Sequence, residues 1–166
     1  MNYCFLDSPI GPLLIAGNQE GVRHIQFPKN GKPAKPEQGW IESISGAVAE
    51  AGVQLRQYFA GRRAEFDLPL ALQGTQFQLA VWRELQLVPY RQTISYGELA
   101  RRIGNPNASR AVGSANGANQ IPIVIPCHRV IAAGGKLGGF GGGLPVKEAL
   151  LALERTSPGN WSVAGR

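Results

Sequence analysis

The sequence predicts an α+β chain in two parts: a small antiparallel β-meander with a covering helix, then a mainly α-helical part that contains a helix-turn-helix. Three observations carry this prediction. Short apolar segments at the start are separated by Gly, Pro and Asn turn signals. From residue 40 the apolar positions change to helical spacing. Beyond residue 75 come helices with recognisable starts and stops, and with them the whole of the net charge.

The elements follow in order. Asn2 to Leu6, Leu13 to Ala16 and Val22 to Phe27 read as three strands, with turns at Ser8 to Pro12 and Asn18 to Gly21. Pro28 to Pro36, rich in Lys, Pro and Gly, reads as an exposed loop. Trp40, Ile44, Ala47, Val48, Ala51, Leu55, Tyr58 and Phe59 recur at helical spacing, and Gly61 is placed to close that helix. Asp67 to Gly74 reads as a linker, which gives expected parts of 1–70 and 71–156 and a loose tail at 157–166. In the second part, Phe77, Val81, Trp82 and Leu85 form one stripe of a helix from about Thr75 to Leu87, and Pro89 ends it. Ser95 and Glu98 match a capping box, in which each side chain serves the other's backbone amide. The helix Tyr96 to Ile103 should follow, then a turn at Gly104 to Asn107, then a helix from Asn107 or Ala108 to about Ala118. Two short helices joined in this way are a helix-turn-helix candidate. Pro145 to Arg155 closes the fold as a helix, with Pro145 suited to its first turn.

At 166 residues, 43% hydrophobic and 17% charged, the chain is globular in composition. Residues 1 to 74 carry seven Lys/Arg and seven Asp/Glu; residues 75 to 166 carry ten and four, the entire net charge of +6. A basic half suggests an anionic partner, most commonly nucleic acid. The two cysteines are Cys4 and Cys127. The start MNYCFLDS lacks the basic and apolar regions of a signal peptide, and no apolar run approaches the length of a membrane span. A cytoplasmic location with free thiols is therefore the expectation. Cys4, in a strand, reads as core. Cys4 and His24 are too few for a zinc site, and no metal is expected.

The chemistry centres on Ile125, Pro126, Cys127, His128, Arg129, Val130 and Ile131. A buried cysteine is usually an inert small hydrophobe. Here an imidazole and a guanidinium follow it directly, and a base or cation near a thiol is what activates it as a nucleophile. Upstream, Ala108, Ser109, Ala111, Gly113, Ser114, Ala115, Gly117 and Ala118 are all small, with Arg110 the one long polar chain among them. Glycine inside a helix costs about 1 kcal/mol relative to alanine, so close approach to another helix or to a duplex groove is the natural compensation. Downstream, Gly134 to Gly143 holds seven glycines in ten residues but matches no phosphate-binding or dinucleotide motif. Glu154 lies late in the last helix, where the macrodipole disfavours a carboxylate, which points to a specific partner.

The run IPCHRVI, preceded by SYGELARRIGNPNASRAVGSANGANQIPIV and followed by PVKEALLALE, closely resembles the O6-alkylguanine-DNA alkyltransferases, the methylated-DNA-protein-cysteine S-methyltransferases. The match is dense from about Thr75 to Glu154 and weaker over LDSPIGPLLIAG. The resemblance implies a ribonuclease H-like first part and a winged-helix-like second part. It implies direct DNA repair: a damaged guanine is rotated out of the duplex and its O6 alkyl group, or that of an O4-alkylthymine, moves irreversibly to the protein in a single turnover. Cys127 would be the acceptor, His128 the base acting through a water, and Glu154 the group that orients and charge-balances the imidazole. Asn119 would link the recognition helix to the reactive turn, and Arg110 would enter the space left by the extruded base. Tyr96 would crowd the 3′ phosphate and donate to the flipped guanine. The carbonyls of Cys127 and Val130 would accept from its exocyclic amine, and the Gly141 amide would donate to the departing O6. Ser95, Ala108, Ser109 and Phe140 complete the implied DNA- and substrate-binding set. The implied partner is double-stranded DNA, met by a monomer without a cofactor and without a membrane. Gln120 and Phe140 stand where many members have proline and tyrosine, and the zinc ligands of some members are not all matched.

Two other readings differ in what they predict. Alkyltransferase-like proteins flag alkylated sites without chemistry, but they replace the cysteine, commonly by tryptophan. A cysteine hydrolase would leave a basic helix-turn-helix unexplained.

Overall fold

The computed structural model describes residues 1–135, 137, 138 and 140–157. It divides into two compact units, Met1–Leu72 together with Thr156 and Ser157, and Gln73–Arg155. Residues 158–166, the greater part of the expected tail, lie outside the described residues.

The first unit is built on strands β1 (Asn2–Leu6), β2 (Leu13–Asn18) and β3 (Gly21–Gln26), which pair antiparallel in sequence order. A fourth strand, β4 (Ile41–Glu42), pairs parallel to β1 and gives the order β3-β2-β1-β4. The central strand β2 is apolar and buried from Leu13 to Gly17, as a strand covered on both faces should be. Helix α1 (Gly46–Phe59) turns Val48, Ala51, Leu55 and Tyr58 inward, and Gly61 follows its end at φ +74°, a left-handed value suited to glycine.

The helical spacing extends back to Trp40, but α1 starts at Gly46. Ile41 donates its amide to the Met1 carbonyl at 2.9 Å and joins the sheet, while Ile44 is 75% exposed. Sheet pairing takes these residues from the helix. The expected linker is also partly structural: Val22 donates to Pro69 O at 2.8 Å and accepts from the Ala71 amide at 2.9 Å. That contact explains Gly21. A Cβ on it would lie 2.3 Å from Pro69 O, and its φ is +145°. Gly21→Ala should therefore destabilise the protein by about 2 kcal/mol or more, read as a lower urea midpoint.

In the second unit, α2 (Gln76–Leu85) begins with a full capping box between Thr75 and Gln78. Val81, Trp82 and Leu85 form its buried stripe. Helices α3 (Tyr96–Arg102) and α4 (Ser109–Gly117) form the helix-turn-helix and pack with α2. Ser95 caps α3 by accepting from the Glu98 amide at 3.0 Å. Glu98 does not complete the expected box; its carboxylate is taken by Arg101 at 2.7 Å and Arg102 at 3.3 Å. Two arginines within one turn outcompete a single backbone amide. Strand β5 (Ile94–Ser95) pairs parallel with β6 (Val130–Ile131), which fixes the start of α3 beside the chain leaving Cys127. Helix α5 (Leu144–Thr156) buries Lys147, Leu150, Leu151 and Glu154, with Pro145 in its first turn.

Candidate active site

The segment between α4 and β6 is a tight apolar turn held by one side chain. Asn119 accepts from the Ile121 amide at 3.0 Å and donates to Ile125 O at 2.8 Å, so a single carboxamide closes both ends of the turn. Ile125 also donates to Ile121 O at 2.9 Å. Inside it Ile123 is buried at φ +75°, which is strained for a β-branched residue. Gln120 precedes the turn and its buried Oε1 has no hydrogen-bond partner among the described residues. Pro126 then leads into a single 3-10 turn, Cys127–Arg129.

Cys127 is 5% exposed, and burial pushes its thiol up to about 11. Hydrogen bonds from the Asn119 side chain and from the backbone amides of Cys127 and His128, together with the Lys147 charge, oppose that rise without overcoming it. At neutral pH the resting sulfur is a protonated thiol.

His128 is fully buried, and its Nε2 lies 2.6 Å from Glu154 Oε2. Burial holds the imidazole below its ordinary value, against the pull of Glu154. A neutral ring facing a carboxylate carries its proton on Nε2, which leaves the lone pair on Nδ1. That atom has no hydrogen-bond partner among the described residues.

Glu154 gathers the neighbourhood. Arg129 meets it as a fork, Nε to Oε1 at 2.9 Å and Nη2 to Oε2 at 3.1 Å. Arg91 adds its amide to Oε1 at 3.3 Å and its Nε to the Glu154 carbonyl at 2.8 Å. Burial alone would raise this carboxyl, but His128 and Arg129 hold it at about 2. The carboxylate that conflicts with its own helix dipole is thus paired. The same contacts correct the expectation for Arg129: its guanidinium serves Glu154, Val88 O at 2.8 Å and the Tyr90 ring at 5.6 Å, and is not among the groups acting on the sulfur.

Acid should loosen this cluster. His128 sits below its ordinary 6.5, so the unfolded chain takes up that proton first, and stability present above pH 6.5 is lost as pH falls. Glu154, at about 2 against an ordinary 4.5, contributes in full above 4.5 and loses its contribution as pH drops toward 2. The Glu154 share is on the order of 3 kcal/mol. Urea midpoints measured from pH 7 to pH 3 should decline throughout, and the decline below pH 4.5 should be shallower in Glu154→Gln, leaving the smaller share of other lowered groups such as Glu98.

Lys147 and Asn116 also belong here, and the sequence reading singles out neither. Lys147 is fully buried; its Nζ donates to Val130 O at 2.6 Å and to Leu137 O. Asn116, 5% exposed, donates from Nδ2 to Cys127 O at 3.3 Å. Both have a signal in helical spacing. Lys147 lies on the stripe of Leu150, Leu151 and Glu154, and Asn116 on that of Val112 and Ala115.

Tyr96, the first residue of α3, is half-buried; burial and then Cys127 raise its phenol above the ordinary value, so it remains a proton donor. Gly138 packs on it: a Cβ there would lie 3.4 Å from the Tyr96 hydroxyl. Arg110 is exposed on α4, without a hydrogen bond or ion pair among the described residues, on a face with Ser109, Ala111, Ser114, Gly117 and Ala118. Ala108 is the residue before α4, and Ser95 spends its oxygen on the α3 cap. Phe140 accepts from the Gly143 amide at 3.0 Å, and Gly141 is exposed just before α5. Among the described residues no three His, Cys, Asp or Glu side chains gather as a metal site, and no helix is long and apolar enough to cross a membrane. Cys4 and Cys127 are both free and buried.

Residues 76–156 match the family model for the 6-O-methylguanine DNA methyltransferase DNA binding domain, and residues 1–72 match that of the ribonuclease-like domain of the same proteins. The chain is 50% identical over 154 residues to a methylated-DNA--protein-cysteine methyltransferase of Methanosarcina acetivorans, covering 93% of this chain and 98% of the relative. It is 51% identical over 156 residues to one from Mycolicibacterium paratuberculosis, covering 93% of each. The Mycobacterium tuberculosis OGT crystallised in complex with DNA superimposes with a TM-score of 0.87 at 47% identity, over 95% of this chain and 94% of that one.

Proposed function

Since the chain belongs to the O6-methylguanine DNA methyltransferase family, we propose that Cys127 is the acceptor to which it transfers the O6 alkyl group of a damaged guanine. The protein carries out direct DNA repair as a methylated-DNA-protein-cysteine S-methyltransferase, with double-stranded DNA as its partner. The observation that carries the residue assignment is a protonated buried thiol followed directly in sequence by a neutral imidazole, whose Nδ1 is unspent and whose Nε2 lies 2.6 Å from the Glu154 carboxylate.

The roles follow from the charges. His128 Nδ1 takes the thiol proton through an intervening water, and Glu154 stabilises the imidazolium that forms. The sulfur attacks the alkyl carbon; the S–C bond forms as the C–O6 bond breaks, and O6 leaves with the electron pair. Tyr96, a phenol kept protonated, donates to the departing base, and the Gly141 amide supports O6. The carbonyls of Cys127 and Val130 accept from the exocyclic amine. Asn119 links the end of α4 to the reactive turn through Ile121 and Ile125. The product is a thioether, which water does not readily cleave, so each molecule reacts once.

A guanine within the duplex cannot reach the sulfur of a cysteine that is 5% exposed, so the base must be extruded, at a cost of a few kcal/mol. The small exposed face of α4, with Ser109 and Arg110 at its start, suits the narrow minor groove. Ala108 and Ser95 lie at the starts of α4 and α3 as backbone-contact candidates, and Phe140 borders the substrate. Arg110 offsets part of the extrusion cost by filling the gap. Two free cysteines fit a reducing compartment, the cytoplasm.

Incubation with a duplex containing O6-methylguanine should add the mass of one methylene to Cys127 and stop at one equivalent. Unmodified protein after full exposure, or continued turnover, overturns this function. Arg110→Ala should slow repair of the duplex by about tenfold or more, the worth of 1–2 kcal/mol of lost extrusion support, and should affect free O6-benzylguanine far less. Equal losses on the two substrates would remove Arg110 from the extrusion step.

A further inference from the structure

We propose that Arg91 is a positioning residue for the transfer reaction: it holds the end of α5 so that the Glu154 carboxylate stays against the His128 imidazole. The inference rests on the reading above in which His128 is the base and Glu154 supports it.

Arg91 lies exposed between α2 and β5, yet its backbone is held at φ +72°. That is the left-handed region, which disfavours a residue with a Cβ. It falls at the third position of the turn Pro89–Gln92, closed by the Gln92 amide on Pro89 O at 3.1 Å, where glycine or asparagine is the usual choice. The sequence thus sets a long side chain where the backbone alone would favour glycine. Glycine could supply the turn and its amide. What the arginine adds is the guanidinium, which donates from Nε to Glu154 O at 2.8 Å.

Both of its contacts fall on one residue. The Arg91 amide meets Glu154 Oε1 at 3.3 Å while its side chain takes the main-chain carbonyl, so Glu154 is gripped at its head and at its root. The place is one that needs gripping. Helix α5 ends at Thr156, which puts Glu154 in its last turn. The carbonyls of a last turn have no further helix to accept from, and such turns fray. An arginine there satisfies a carbonyl and complements the negative end of the helix dipole. The Arg129 fork and the His128 bond act only on the carboxylate, and neither fixes the backbone that carries it. A fully buried imidazolium depends on that carboxylate staying at 2.6 Å, so the cap on the helix end governs how often the pair is aligned.

The test compares single-turnover rate constants on an O6-methylguanine duplex from pH 8 to pH 5 for Arg91→Gln and Arg91→Met. Glutamine carries an N–H donor as many bonds from the backbone as Arg Nε, and methionine carries none. Both are neutral and both meet the same φ, so lost charge and backbone strain cancel between them. The charged groups acting on His128 are Glu154 and Lys147 from α5 and Arg129 from its own turn, and none is altered. Arg91→Met should transfer about fivefold more slowly than Arg91→Gln, the usual net worth of one hydrogen bond felt as a smaller aligned population. Its acid limb should also lie at lower pH, because an imidazole that loses its carboxylate for part of the time binds a proton less well. Rate constants report the reacting molecules only, and Arg91→Gly, which relieves the φ and keeps the amide, should match Arg91→Met and guards against a variant that does not fold. If the rate or the acid limb fails to separate glutamine from methionine, Arg91 only braces the fold and the inference is overturned. Glu154→Gln is run alongside: transfer at the wild-type rate there removes the base reading itself and the inference with it.

Discussion

Cys127→Ala is expected to end alkyl transfer altogether while leaving binding to alkylated duplex unchanged. The loss is total because the sulfur is a stoichiometric reactant, and no neighbouring group can stand in for it: the other cysteine, Cys4, lies in a strand of the first unit. The fold should tolerate the change. The side chain loses one atom, a cavity cost of about 1 kcal/mol, and the turn is held by Asn119 and backbone bonds that do not involve the sulfur. Binding should persist because the exposed face of α4, with Arg110, is untouched. Intact mass and alkyl loss from DNA check the first expectation, and a salt-controlled binding titration checks the second. Any mass gain in Cys127→Ala would move the acceptor elsewhere.

The position of the thiol also says why it needs help. With the group at about 11, roughly one molecule in ten thousand is ionised at pH 7. Ionising it in advance would cost on the order of 5 kcal/mol, which is a large share of any barrier compatible with repair. The same burial that keeps the thiol unreactive toward solvent makes a paired base necessary.

How far the fold and the site are legible in the sequence depends on the kind of interaction. The helices α2, α3 and α4 announce themselves because spacing and caps are local: Thr75 and Ser95 each cap the helix that follows them. The start of α1 does not, because Ile41 is recruited by a strand forty residues earlier in a bond that periodicity does not register. The reactive turn shows the same divide. Cys127 and His128 are neighbours in sequence, but the contact that matters to the imidazole reaches across to Glu154, and composition offers only the hint of a carboxylate at the wrong end of a helix. Arg129 misleads for the converse reason: adjacency suggests a cation for the sulfur, whereas its fork fits a carboxylate better than a thiol. Lys147 and Asn116 are visible as polar residues on apolar stripes, a pattern that marks a buried donor without naming its acceptor.

The second large effect belongs to Glu154. Glu154→Ala is expected to lower stability by about 3–5 kcal/mol, because it strands the buried Arg129 guanidinium and removes the partner of His128. Glu154→Gln keeps the shape and should cost less stability, yet it should still slow transfer about a hundredfold or more, the usual range for a general base deprived of its support. The reason lies in the charge that develops. When His128 takes the thiol proton it becomes an imidazolium in a fully buried site, and burial already disfavours that form. The carboxylate at 2.6 Å is what makes the proton transfer tolerable; a neutral amide there offers a dipole in place of a charge, and it also permits the wrong tautomer by donating to Nε2. Arg129→Met separates the two effects. It removes one cation and leaves the Glu154 carboxylate to His128 and the Arg91 amide, so it should raise the imidazole's affinity for a proton and shift the pH profile of transfer upward. Single-turnover rates across pH, beside urea midpoints for all three variants, read both quantities. If Glu154→Gln transfers at the wild-type rate, then the carboxylate only braces the fold and His128 does not act as the base.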